Sequence, residues 1–130
     1  MLNLIKSIAL TVAIVIGFAT GPVSAGTVAS GTFTGASDHI TTGAVDVIKN
    51  ADGSHTIVLG DDFSLDGAPD PRVGLGTNGQ YDSKTDSGLL GSLTGAQSFI
   101  IPAGVDVSAF NEVYIWCKKF SVPLGIAKLK

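Results

Sequence analysis

"EVYIWCKKFSVPLGIAKL", residues 112–129, carries two apolar alternations of opposite parity. Its first half alternates: Val113, Ile115 and Cys117 are apolar, and Glu112, Tyr114, Trp116 and Lys118 stand between them. Successive side chains of a β-strand point to opposite faces, so the odd positions form the expected core face. In the second half the large apolar residues are Phe120, Val122, Leu124 and Ile126, all even. A regular strand cannot change parity, because a slip of one residue turns every side chain over. The pattern therefore predicts a discontinuity at Lys118 and Lys119: a bulge, a bend, or a strand crossing between sheets. Cys117, the only cysteine of the chain, sits at its edge.

Outward from this block, helix signals are almost absent after residue 25. Short alternating apolar runs recur between clusters of Gly, Asp, Asn, Ser and Pro, the signature of an all-β chain. Candidate strands fall at 31–35, 42–49, 55–60, 62–65, 72–75, 97–102, 111–117 and 120–129. The punctuation is chemically explicit: "NADGS" (50–54) for a hairpin, "DGAPDP" (66–71) for a proline-stiffened corner and "TNGQ" (77–80) for a tight turn. Residues 77–94 read as the longest loop. This many short strands in about 100 residues predicts an antiparallel two-sheet β-sandwich.

The N-terminus sets the compartment. "MLNLIKSIALTVAIVIGFATGPVSA" places Lys6 before an apolar run over 8–19, then Gly21-Pro22, then Val23-Ser24-Ala25. That order of charge, apolar core and small residues predicts a secretory signal peptide over 1–25, cleaved before Gly26. The run is short against the roughly 20 residues a spanning helix needs, so no membrane span is expected after cleavage. The expected organisation is a signal peptide at 1–25, a short linker at 26–30 and one domain at 31–130, exported to a periplasm or secreted.

Cleavage removes Lys6 and leaves seven basic and eleven acidic residues, a formal charge of −4 against −3 for the whole chain. The basic residues are few and scattered, which excludes a nucleic-acid footprint. One cysteine closes no loop, so a disulfide framework is excluded as well.

Several motifs are weighed on their spacing. "GLGTNG" (74–79) matches the dinucleotide pattern G-x-G-x-x-G, but no apolar helical period follows to receive a pyrophosphate. Asp61, Asp62, Asp66, Asp70, Asp82 and Asp86 cluster without calcium-loop spacing and read as turn residues. No G-x-S-x-G elbow accompanies His39 and His55, so no hydrolase constellation is assembled. Two His with one Cys is the ligand set of a blue-copper centre. Copper is disfavoured, because Met1 is the only methionine and no His closely follows Cys117. No metal site is expected. From the residues alone Cys117 stays open between a small apolar core filler and a functional thiol.

A resemblance adds to this reading. Gly31-Thr32-Phe33, His39 with Gly43-Ala44-Val45, Phe63 with Gly67, Pro69 and Asp70, then Leu90-Gly91 with Leu93, and Gly95, Gln97, Phe99 and Pro102 form a spread series of blocks. It closes on Val113, Ile115-Trp116-Cys117, Phe120, Val122, Gly125, Ala127 and Leu129. The series resembles the DM-thirteen domain family, the module also found in Skeletor-type animal proteins. Two positions depart: Ala68 separates Gly67 from Pro69, and Phe99 stands where an aromatic hydroxyl is more usual. The resemblance implies an all-β domain proposed for electron transfer. Its single cysteine, here Cys117, would act as a bare thiol or as ligand to a prosthetic group such as haem. On the same footing His39 and Trp116 are the expected neighbours of Cys117 at a cofactor-binding site.

Two readings follow. One is an exported electron-transfer component working through Cys117 with a separate redox or cell-surface protein as partner, not an enzyme by itself. The other is a non-catalytic β-sandwich that binds a partner protein or cell-surface component, with Cys117 structural.

Overall fold

The structure, a computed structural model, describes residues 25–130. The predicted signal peptide, residues 1–25, lies outside the described residues except for its last position. Ten strands follow: β1 (Gly26–Gly35), β2 (Thr41–Thr42), β3 (Ala44–Lys49), β4 (His55–Leu59), β5 (Ser64–Leu65), β6 (Pro71–Thr77), β7 (Gln80–Asp82), β8 (Gln97–Ile100), β9 (Glu112–Cys117) and β10 (Val122–Lys128). Every pairing is antiparallel. No helix among the described residues is long and apolar enough to cross a membrane.

The all-β antiparallel expectation holds; the division into two separate sheets does not. Eight strands join in one hydrogen-bonded order, β7-β6-β9-β10-β1-β3-β4-β8, beside a two-stranded β2-β5 pair. The reason is the length of β1. Its Gly26 to Thr32 portion pairs with β3, whereas Phe33 to Gly35 pair with β10, so one strand belongs to both halves. Residues 26–30, read from sequence as a linker, are thus part of the sheet. Both halves feed one core: Val45, Val47, Ile57 and Leu59 from one, Val73, Leu75, Val113, Ile115, Cys117 and Leu124 from the other.

The turn chemistry acts as expected. Asn50 to Ser54 joins β3 to β4, and Asn78-Gly79 joins β6 to β7 with φ of 51° and 88°. Two positive φ values in a two-residue loop match the twist of the strands they join.

The expected discontinuity after Cys117 takes a different form. Lys118 to Ser121 is a hairpin turn, and Cys117 pairs with Val122 across it. Phe120, counted with the core face from parity, is 62% exposed at the tip. The bulge lies further on, between Pro123 and Gly125. Proline has no N–H for the ladder and is tolerated at such a break. The bulge turns Leu124 into the core at 0% exposure and shifts the later core position to Ala127, opposite Val113.

Candidate functional site

Strand β9 divides its side chains as its alternation requires. Val113, Ile115 and Cys117 enter the core; Glu112, Tyr114 and Trp116 take the other face. Cys117 is 1% exposed, between Pro71 on β6 and Val122 on β10. Its Sγ–H donates to the carbonyl oxygen of Pro69 at 3.2 Å. The next residue, Lys118, is exposed, and its N–H donates to the Asp70 carbonyl at 3.1 Å. The sulfur is therefore buried at the rim of the core, beneath the 66–71 corner.

The same corner holds His39. Nδ1 of His39 lies 2.8 Å from Oδ1 of Asp66, whose Oδ2 accepts the Ile40 N–H at 2.9 Å. That N–H, and after it the His39 hydrogen bond, hold the Asp66 carboxyl below its ordinary value. Asp66 precedes Pro69 by three residues, so one corner touches both predicted site residues. His39 and Cys117 share no hydrogen bond; the corner relates them. His55 is elsewhere, opening β4 opposite Lys49.

Trp116 is adjacent to Cys117 in sequence and on the opposite face. Its ring stacks on Tyr81 with centroids 4.5 Å apart and planes at 13°. Tyr114 completes the cluster, edge-on to Trp116 at 6.3 Å and tilted to Tyr81 at 5.6 Å. Two glycines make room. A Cβ on Gly74 would meet Tyr81 Cε1 at 2.8 Å, and one on Gly76 would overlap Tyr114 Cε1 and the Gln80 carbonyl. Of the glycines of "GLGTNG", Gly79 is in the β6–β7 turn, whereas Gly74 and Gly76 lie within β6 and form a bare strand surface on which two tyrosines lie.

Charges surround this face. Arg72, opposite Trp116 on β6, donates from Nε to Asp70 Oδ1 at 2.8 Å and lies 3.7 Å from Asp86 Oδ2. Glu112 is 5% exposed, and its Oε1 accepts from the Gly79 N–H at 2.8 Å and the Tyr114 hydroxyl at 3.1 Å. Burial, then the Glu112 charge and hydrogen bond, push the Tyr114 phenol up to about 12. Burial and then Asp86 also raise Tyr81, with Arg72 opposing.

A haem bound through Cys117 would need the sulfur open to a slot wide enough for the macrocycle. The thiol is instead enclosed by Pro69, Pro71, Val122 and the core. Two clefts, of about 710 and 580 Å³, are lined by other residues and include neither Cys117 nor His39. The arrangement does not fit a haem. For copper, no group of three or more His, Cys, Asp or Glu among the described residues is placed to hold a metal ion.

A family model described as Electron transfer DM13 matches residues 32–129. The chain belongs to the DM13 family. Comparison with curated proteins gives no match, and comparison with solved structures gives none. The match begins within β1 and runs past β10, so it takes in every strand of the sheet apart from the first part of β1. Membership gives a general electron-transfer role.

Sequence reading named Cys117, Trp116 and His39 for the DM13 site and missed their partners. Pro69 and Asp66 were legible only as turn residues. Glu112 and Tyr114 carried a weak signal, since they alternate with the core residues on the Trp116 face. Tyr81 carried none: it lies in β7, a three-residue polar strand inside the stretch read as loop.

Proposed function

We propose that this DM13 domain is an exported electron-transfer component in which Cys117 is the redox-relevant residue, acting as a thiol and not as a haem ligand. The observation that carries the reading is the place of its one sulfur: at the last residue of β9, 3.2 Å from the Pro69 carbonyl, one residue from solvent. His39 is tied to the same corner through Asp66, and we read it as the residue that assists the thiol. The leader sequence supports export, as does the start of β1 at Gly26, directly after the expected cleavage point. We read the two halves of the sheet as the facing layers of a sandwich, which their shared core supports.

With no second cysteine, two-electron thiol exchange requires a thiol or disulfide on the partner. One-electron oxidation of Cys117 instead releases an electron and a proton together. In either case a redox partner is required.

One observation favours the second reading, a binding module with a structural cysteine. Ile40, Leu89, Leu93 and Phe120 are 69%, 54%, 44% and 62% exposed. They flank the corner and hairpin: Ile40 and Leu93 bond to Asp66 and Leu65, and Leu89 bridges Arg72. Buried thiols in apolar surroundings are commonly inert.

The test is alkylation of Cys117 in the folded protein, with haem and copper titrations of wild type, Cys117→Ala and His39→Ala followed by visible spectroscopy. The redox reading predicts labelling without global unfolding, slowed or altered in His39→Ala, and no Cys117-dependent haem spectrum. A thiol that labels only on unfolding, in a protein that binds neither cofactor, hands the function to the binding module.

A further inference from the structure

The chain has two tyrosines and one tryptophan, and all three are in one cluster. They are its most readily oxidised aromatic side chains, and the peptide bond between Trp116 and Cys117 links them to the only thiol. Gly74 and Gly76 leave β6 bare beneath Tyr81 and Tyr114, which brings the rings into contact. The cluster also grades in exposure, from half-buried Trp116 and Tyr81 to Tyr114 at 1%. At its inner end the Tyr114 hydroxyl donates to the buried Glu112 carboxylate at 3.1 Å.

We propose that Trp116, Tyr81 and Tyr114 form a one-electron relay, with Tyr114 as its inner terminus and Glu112 as the acceptor of the phenol proton. The proposal rests on the electron-transfer reading and deepens it, but does not pass through the sulfur. An oxidised metal centre of a partner protein takes one electron from Trp116 at the surface. The Trp116 radical cation is refilled by an electron from Tyr114, directly or by way of Tyr81. As Tyr114 loses the electron, its O–H bond breaks and the proton moves to Glu112 Oε1. The products are the reduced metal centre, a neutral Tyr114 radical and a protonated Glu112. An electron from a donor and return of the proton restore the start. A one-electron-oxidised phenol is a strong acid, so a base at hydrogen-bond distance decides where the vacancy rests. The raised ground-state pKa of Tyr114 fits this order, since the proton stays on the phenol until the electron leaves.

The test is flash photolysis of the purified full chain with photogenerated tris(bipyridine)ruthenium(III) as oxidant, read by transient absorption and electron paramagnetic resonance. A tryptophanyl signal should give way to a tyrosyl signal that persists in Tyr81→Phe and is lost in Tyr114→Phe. Glu112→Gln keeps an oxygen for the Gly79 N–H and should slow the tyrosyl rise by about a hundredfold. A measurement on wild type needs no variant to fold: the rise should not depend on buffer-base concentration, because the proton goes to Glu112. A tryptophanyl radical that never yields tyrosyl overturns the relay. So does a tyrosyl signal at full yield in Tyr114→Phe, or a rise that quickens with added buffer base. None of these readouts uses the thiol, so failure here removes the relay and leaves Cys117 to its own test.

Discussion

Trp116 and Cys117, consecutive in β9, face opposite sides of the same sheet: the indole stacks on Tyr81 at 4.5 Å and the thiol lies 3.2 Å from the Pro69 carbonyl oxygen. Changes at one position therefore leave the contacts of the other nearly intact, and the two faces can be perturbed separately.

Cys117→Ala removes one sulfur from the core and one weak hydrogen bond. The expected loss is about 1 kcal/mol, the scale of a small buried truncation. Urea denaturation should show a lower midpoint with an unchanged slope, and the Trp116 emission of the native state should stay as in wild type.

Gly76→Ala perturbs the other face. A methyl there would overlap both the Tyr114 ring and the Gln80 carbonyl, and the carbonyl belongs to the β6–β7 hairpin and cannot swing away. Overpacking of this kind costs about 1–3 kcal/mol. Gly74→Ala would meet the Tyr81 ring at 2.8 Å and the buried, hydrogen-bonded Thr85 Oγ1 at 2.9 Å, and should cost a similar amount. Denaturation midpoints of the two variants give the comparison.

How much of this was legible follows from the range of each interaction. Alternation and turn residues are local, so Val113, Ile115 and Cys117 on one face and the Asn78-Gly79 turn are readable from a few neighbours. The break at Lys118-Lys119 is readable, but not its form as a hairpin turn, because a chain reversal and, beyond it, the Pro123 to Gly125 bulge each shift parity. From sequence they merge into one discontinuity. The site partners depend on tertiary pairing. His39 meets Asp66 across 27 residues, and Cys117 meets Pro69 across 48. No local pattern encodes either contact. The Tyr81 stack hid behind a second effect: with β6 and β9 supplying the neighbours, β7 needs little hydrophobicity of its own.

Alkaline stability should report the buried phenol. Tyr114 keeps its proton in the folded chain to about 12, whereas the unfolded chain releases it near 10.0. Between those values the unfolded state binds fewer protons, so raising the pH favours unfolding. The stabilisation is whole below pH 10 and is lost as pH climbs toward 12; Tyr81 contributes with the same sign. Denaturation midpoints across that window should fall more steeply in wild type than in Tyr114→Phe. Equal slopes would show that Tyr114 titrates as an exposed phenol.

The proposed export makes a covalent prediction. The mature protein should begin at Gly26, the first residue of β1, and N-terminal sequencing of the exported form reads it directly. A mature chain that starts within residues 8–19 would contradict the signal-peptide reading.

The proposed thiol reading makes Cys117 a reversible redox site of this DM13 domain, apart from the aromatic relay on the other face of β9. The direct measurement is a titration of the folded, cofactor-free protein in glutathione–glutathione disulfide buffers, which supply the second sulfur of a mixed disulfide, read by intact mass for wild type beside Cys117→Ala, with circular dichroism to verify that both keep the sheet. A reversible couple in wild type that is absent from folded Cys117→Ala is the predicted result. The same couple in both proteins, or none in wild type, would contradict it.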